Sequence, residues 1–132
     1  MVANRHHILV LEDHQDTAEL YCELLSVEGY RVSMAITAQL AAEIVAKDVP
    51  DLLILDLDLP DQSGVDFLRT LRTNFPNLPV IVVTGSNRST WRVMCEQLGV
   101  LTYFVKPAVD HLINVINLYF QSRKPQQSVE SK

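Results

Sequence analysis

Apolar positions along this chain alternate between two periods. "HILVLE" (7–12), "LLILD" (52–56) and "PVIVVT" (79–84) are short, nearly unbroken β-rich runs. Runs of that length and composition suit strands buried on both faces. "YRVSMA" (30–35) alternates apolar and polar residues, and "LTYFV" (101–105) makes a fifth short run. Between the runs, apolar residues recur three and four apart, the spacing of one helical face. Ala18, Tyr21, Leu24 and Leu25 share such a stripe, which stops at Gly29. In 37–47 the stripe is Leu40, Ala41, Ile44 and Val45, with Thr37 as the predicted N-cap. Val65, Leu68 and Leu71 align after a loop punctuated by Pro60 and Gly64. A fourth helical segment has Ser89 as its predicted cap and Gly99 as its stop, and 110–121 aligns Leu112, Ile113, Ile116, Tyr119 and Phe120.

Five strand–helix units predict an α/β fold: a five-stranded parallel sheet with helices on both faces. The flavodoxin-like strand order 2-1-3-4-5 is the leading expectation. With 132 residues and no internal repeat, the chain reads as one domain over 1–122. A polar segment at 123–132 reads as a tail or linker stub.

Composition narrows the partners. The net charge of −5 disfavours direct nucleic-acid binding by this domain, which needs a basic face. No stretch has the length of a membrane span or the form of a secretory leader. Cys22 and Cys95 sit in helical patterns and read as reduced core thiols rather than a disulfide framework. These features place the expected location in the cytoplasm.

The chemistry gathers where the strands end. In a sheet of this type ligands bind beyond the carboxyl ends, at the switch between strands 1 and 3. Strand 1 runs into Glu12 and Asp13, and strand 3 into Asp56. Strand 4 ends at Thr84-Gly85-Ser86, and strand 5 at Lys106-Pro107. An ionised carboxylate at the end of the run Leu52–Leu55 is costly unless something pairs with it. Carboxylates from adjacent strands call for a hard dication with oxygen ligands, Mg²⁺ above all. Adding one lysine and one hydroxyl gives a set suited to a transferring phosphoryl group. Asp56 is central, and a carboxylate needs no base to act as nucleophile.

The acidic pair "ED" at 12–13, the D-x-x-x-P-x-x-x-G block from Asp56 to Gly64, "VVTG" at 82–85 and "YFVKP" at 103–107 occur in this order. Together they make the chain, over roughly residues 5–122, resemble the receiver domain of two-component response regulators. The resemblance implies that Asp56 accepts a phosphoryl group from the phosphohistidine of a histidine kinase or histidine phosphotransfer protein, as in a phosphorelay. It implies Mg²⁺ (or Mn²⁺) held by Asp13, Asp56 and the backbone carbonyl of Asp58, with Glu12 acting through a metal-bound water. Lys106 and Thr84 would contact the phosphoryl oxygens, Gly85 would leave room for them, and Tyr103 would swing inward as Thr84 shifts. Asp58 and Ser86 occupy the positions that tune dephosphorylation in the family, and the Lys106–Pro107 bond is expected to be cis. The signal would leave through the surface of the fourth helix, fifth strand and fifth helix. That surface would engage a downstream protein or output domain, or a second copy in a homodimer. Such a protein assists its own phosphorylation and dephosphorylation but turns over no external substrate. Two departures stand out: Glu-Asp replaces the commoner Asp-Asp, and Ser63 stands before Gly64, where it can cap the third helix.

Plainer readings sit beside these. Asp61 is expected to be a solvated loop acid, Asp51 a turn residue, and Trp91 packing or a partner contact. His6 and His7 precede the first strand without acidic or cysteine partners at ligand spacing, His14 is expected at the rim of the site, and His111 on an exposed helix face. Three rival functions compete. "DLDLP" also resembles the D-x-D-x-T motif of haloacid-dehalogenase-type phosphatases, with Asp56 as nucleophile, but Pro60 stands where they carry threonine and the acidic pair comes first rather than late. A flavin carrier of the same fold would need a Ser/Thr/Gly-rich phosphate loop where this chain has "LEDHQD". A degenerate receiver would act only as a binding module.

Overall fold

A computed structural model describes residues 6–86, 88–121 and 123. The strands are β1 (His7–Leu11), β2 (Arg31–Ala35), β3 (Leu52–Leu55), β4 (Val80–Thr84) and β5 (Thr102–Val105). The helices are α1 (Gln15–Val27), α2 (Ala38–Lys47), α3 (Gly64–Asn74), α4 (Ser89–Gln97) and α5 (Val109–Phe120). All four strand pairings are parallel and the sheet order is β2-β1-β3-β4-β5, as the sequence pattern predicts.

The unbroken strands each feed two cores. Leu9, Leu11, Leu53, Leu55, Val80 and Val82 face the layer formed by α2, α3 and α4. Ile8, Val10, Leu52, Ile54, Ile81 and Val83 face α1 and α5. The period of two along each strand assigns alternate residues to opposite faces. β1, β3 and β4 are therefore fully buried, whereas edge strand β2 is mostly half-buried. Among the described residues no helix is long and apolar enough to cross a membrane.

Helix ends follow the sequence reading with one exception. Thr37 Oγ1 accepts from Leu40 N–H and Ser63 Oγ from Val65 N–H, so both cap as expected. Gly29 and Gly99 take positive φ just past α1 and α4. Ser89, expected as the cap of α4, is instead its first helical residue. Arg88 is the N-cap and contributes no side-chain hydrogen bond there. Ser86 Oγ instead accepts from Arg88 N–H, so the turn is stabilised one step earlier.

Two side chains tie elements together without any local signature. Arg72, near the end of α3, donates to the carbonyls of Leu98, Phe75, Leu78 and Gly99. It thus satisfies orphan carbonyls at the ends of α3 and α4. At the opposite edge of the sheet from the strand ends, His7 is the fully buried first residue of β1. Its carbonyl accepts from Asp51 N–H at 2.7 Å, and its own N–H donates to Asp51 Oδ2 at 2.8 Å. Asp51 thus sits at the bend before β3, as a turn residue would, but is buried and bonded to β1. Both cysteines are free thiols. Apart from Arg123, the polar segment 123–132 lies outside the described residues.

Candidate functional site

Three of the predicted residues occupy the first position past a strand, and each keeps a sheet-like backbone bond. Glu12 N–H donates to Ala35 O, Asp56 N–H to Leu11 O, and Lys106 N–H to Thr84 O, at 2.8–3.0 Å. The ladder thus fixes their Cα atoms while the side chains project beyond the sheet. Glu12 and Asp56 are buried, 2% and 3% exposed, and Thr84, the last residue of β4, is wholly buried. The Lys106–Pro107 peptide bond is cis.

Lys106 bridges the two buried carboxylates, with Nζ 2.6 Å from Glu12 Oε1 and 3.1 Å from Asp56 Oδ2. The other oxygens face elsewhere. Asp56 Oδ1 accepts from Asp58 N–H at 3.1 Å, so the loop after β3 folds its backbone against the acid. Glu12 Oε2 accepts from His14 N–H at 3.1 Å and lies 3.2 Å from the imidazole Nδ1. That nitrogen is also 3.2 Å from Asp13 Oδ1, an atom shielded from solvent with no hydrogen-bond partner among the described residues. One ligand atom from each of Glu12, Asp13, His14 and Asp56 fits within a cluster whose members lie within 4.8 Å of one another.

The electrostatics follow from burial. Burial pushes the Glu12 carboxyl up, and the Lys106 hydrogen bond, the largest opposing influence, does not fully offset it. Burial also opposes the Lys106 ammonium, yet Glu12 and Asp56 outweigh it and hold this lysine above its ordinary value. The His14 imidazole is held above its ordinary value by Glu12 and then Asp13. Three carboxylates against one ammonium leave two negative charges uncancelled when His14 is neutral.

Around this centre, Thr84 Oγ1 accepts a long bond, 3.4 Å, from Ser86 N–H. Tyr103 is buried and its hydroxyl donates to Ser86 O at 3.0 Å, with the Arg92 guanidinium 5.1 Å over the ring. The inward position expected to follow a shift of Thr84 is already filled. Asp58 exposes its side chain at the rim and bridges to Ser63. Gly64, read from sequence as loop punctuation, opens α3. A Cβ there would lie 2.5 Å from Leu57 Cα and 2.8 Å from Asp56 O. Gly85 is different: a Cβ would meet nothing within 4 Å, so packing does not require glycine at that position.

Sequence reading missed two roles. Asp61 is not a free loop acid: its Oδ1 and Oδ2 accept from Ala38 N–H and Gln39 N–H, which holds its carboxyl below the usual range. The signal was indirect, since α2 has no acidic residue in its first turn to meet those orphan donors. His14 is exposed, as a rim residue would be, but touches both members of the acidic pair. Trp91 is half-buried against the core with Arg88 4.6 Å over its ring, and His111 is exposed.

A flavodoxin-like sheet with an acid cluster and a lysine at its switch point defines a class of α/β domains whose site lies beyond the strand ends. Comparison identifies the family. The sequence model of the response regulator receiver domain matches residues 8–117. Response regulator MprA of Mycobacterium leprae is 34% identical over 125 residues, covering 94% of this chain and 55% of the relative. Sporulation initiation phosphotransferase F of Bacillus subtilis is 30% identical over 113 residues, covering 85% of this chain and 91% of the relative. A CheY-like response regulator receiver domain protein from Methanospirillum hungatei JF-1 superposes with a TM-score of 0.85 at 25% identity, covering 89% and 95% of the two chains. The chain belongs to the response regulator receiver family of two-component signal transduction. It spans about half the length of the MprA relatives it matches. Family membership displaces both the phosphatase and the flavin-carrier readings.

Proposed function

We propose that Asp56 accepts a phosphoryl group from a phosphohistidine and that the domain signals through the change this causes. The observation that carries the reading is the arrangement of charge at the strand ends. Lys106 joins Glu12 to Asp56, while Asp13 Oδ1 lies beside them without a hydrogen-bond partner. An Asp56 carboxylate oxygen forms a bond to phosphorus as the phosphorus–nitrogen bond breaks, and that bond's electron pair leaves with the donor imidazole. Lys106 can follow the charge from the carboxylates to the phosphoryl oxygens without leaving its pocket. Among the described residues, the Thr84 hydroxyl has only the long Ser86 contact to give up before turning toward them.

The donor set fits a divalent cation. The unpartnered Asp13 oxygen, Asp56 and Glu12 are hard oxygen ligands, and their uncancelled charge of two matches one dication. Asp13 and Asp56 would hold Mg²⁺ or Mn²⁺ directly, with the Asp58 carbonyl, and Glu12 through a water. Bound by these residues, such an ion would supply positive charge toward the phosphoryl oxygens. Tyr103 is already inside, so phosphorylation would hold this residue in place rather than recruit it. Each new bond made in only one conformation shifts the population by its differential energy, about 1–3 kcal/mol for coupled sites. The shift would be read on the α4-β5-α5 surface by a downstream protein, an output domain or a second copy.

The donor would be a histidine kinase or a histidine phosphotransfer protein in the cytoplasm. It would read the exposed face of α1, where Asp16, Glu19 and Glu23 lie, and the loop after Pro107. The name of the Bacillus relative favours a relay role, and the greater length of MprA favours an attached output domain. Acetyl phosphate with Mg²⁺ should add one phosphoryl mass to the wild type and none to Asp56→Asn. Absence of the adduct with every small donor and with a phosphorylated histidine domain would overturn the reading.

A further inference from the structure

We propose that His14 supplies a nitrogen ligand to this cation site, so that the site takes a first-row transition dication in preference to Mg²⁺. The inference rests on the dication reading above and concerns which ion the site selects. Its basis is the position of one atom. His14 Nδ1 stands 3.2 Å from Glu12 Oε2 and 3.2 Å from Asp13 Oδ1. Adjacent ligands on an octahedral ion with bonds of about 2.1 Å are about 3.0 Å apart. The imidazole nitrogen therefore sits at the spacing of a cis ligand to Asp13, with the outer-lying Glu12 oxygen at its other side. The four-residue cluster, within 4.8 Å overall, is close to the ~4.2 Å that separates trans ligands of such an ion.

Among the described residues, the His14 ring pairs only with Glu12 and Asp13. His14 is the N-cap of α1 but makes no side-chain cap bond, and its ring is 72% exposed. Its backbone is held, because His14 N–H donates to Glu12 Oε2 and His14 O accepts from Ala18 N–H. The ring thus hangs from a fixed main chain over the acids. Glu12 and Asp56 each turn one oxygen to Lys106, and the lysine lies on the β5 side. Asp13 Oδ1 turns to the imidazole and has no hydrogen-bond partner among the described residues.

Chemistry then separates the ions. Mg²⁺ takes oxygen ligands and keeps its waters, so an imidazole adds little to its binding. Mn²⁺, Co²⁺, Ni²⁺ and Zn²⁺ accept mixed nitrogen and carboxylate sets, with affinity rising through the series to nickel. A site of oxygens alone discriminates weakly by comparison, and one nitrogen ligand raises the selectivity.

The test compares binding of Mg²⁺, Mn²⁺ and Ni²⁺ by calorimetry in wild type, His14→Ala and Asp13→Asn. Removing the imidazole should lower the Ni²⁺-to-Mg²⁺ affinity ratio by about tenfold or more while leaving Mg²⁺ affinity within about twofold. Binding that survives in Asp13→Asn reports other histidines and is subtracted. Electron spin-echo modulation of bound Mn²⁺ should show a directly coordinated nitrogen in wild type and none in His14→Ala. An unchanged affinity ratio with no nitrogen signal would overturn the proposal and leave the dication reading intact, with His14 only a hydrogen-bonding cation. Tighter binding of every ion by His14→Ala would overturn it too, marking the imidazole as a competitor. Failure of all three ions to bind the wild type would instead overturn the dication reading on which the proposal stands.

Discussion

The two edges of the sheet bury polar groups in opposite ways. At the amino edge, Asp51 N–H donates to His7 O, the Asp51 carboxylate takes the His7 N–H, and His7 Nε2 lies 2.7 Å from Ser33 Oγ. Arg31 and Asp48 pair at 2.8 Å beside them. At the carboxyl edge, Glu12 and Asp56 share one lysine with Asp13 beside them, and Asp13 Oδ1 has no hydrogen-bond partner among the described residues. Burying an unmatched charge is expensive: the amino edge buries a ring kept neutral, His7, whose Nδ1 has no hydrogen bond among the described residues, whereas the carboxyl edge buries carboxylates that outnumber their cation. The carboxyl edge carries that cost at the point where topology opens a crevice. The difference is a guide to function that neither edge would give alone.

Substitutions can break or sharpen the contrast. Lys106→Met should have the largest effect, a loss of about 3 kcal/mol in urea unfolding, because two buried carboxylates lose their partner. Millimolar dication or mild acid should restore part of that loss, since Glu12 protonates more readily than an ordinary glutamate. Asp51→Ala should cost about 2 kcal/mol by stranding the His7 N–H. Dication should not rescue it; equal rescue at both edges would erase the distinction. Ser63→Ala should cost about 1 kcal/mol through the lost α3 cap. The smallest effect at neutral pH belongs to His7→Gln and emerges only on acidification. Burial, the largest influence, holds the His7 imidazole below its ordinary value, so the folded state favours the neutral ring. Its contribution is complete above about pH 6.5 and is lost as the pH falls through the lowered folded value. Thermal unfolding from pH 7.5 downward should therefore fall less steeply in His7→Gln than in wild type.

The sheet and its order were legible because β1, β3 and β4 are short, continuous runs whose alternate residues meet two helical layers. The strand-end residues were legible for the same reason: once a strand is placed, its end is placed. The missed features are contacts between residues distant in sequence. Asp61 meets the start of α2 across 22 positions or more, and His7 meets Asp51 across 44. Arg72 reaches Gly99 across 27. No local period records such a meeting. Ser89 failed for another reason. A serine near a helix start satisfies the capping preference, but Ser86 had already used its hydroxyl to set the turn, and the helix began around Ser89 rather than after it.

The closeness of Gly64 to the loop after β3 makes the first residue of α3 a seat for the segment that carries Asp56. The atoms that an added methyl would strike are the carbonyl oxygen of Asp56 and the Cα of Leu57, not a side chain able to turn away. Any residue larger than glycine would therefore move Asp56 as it strained the fold. At this position tolerance to mutation and alignment for reaction share one coordinate, and selection cannot relax one while preserving the other.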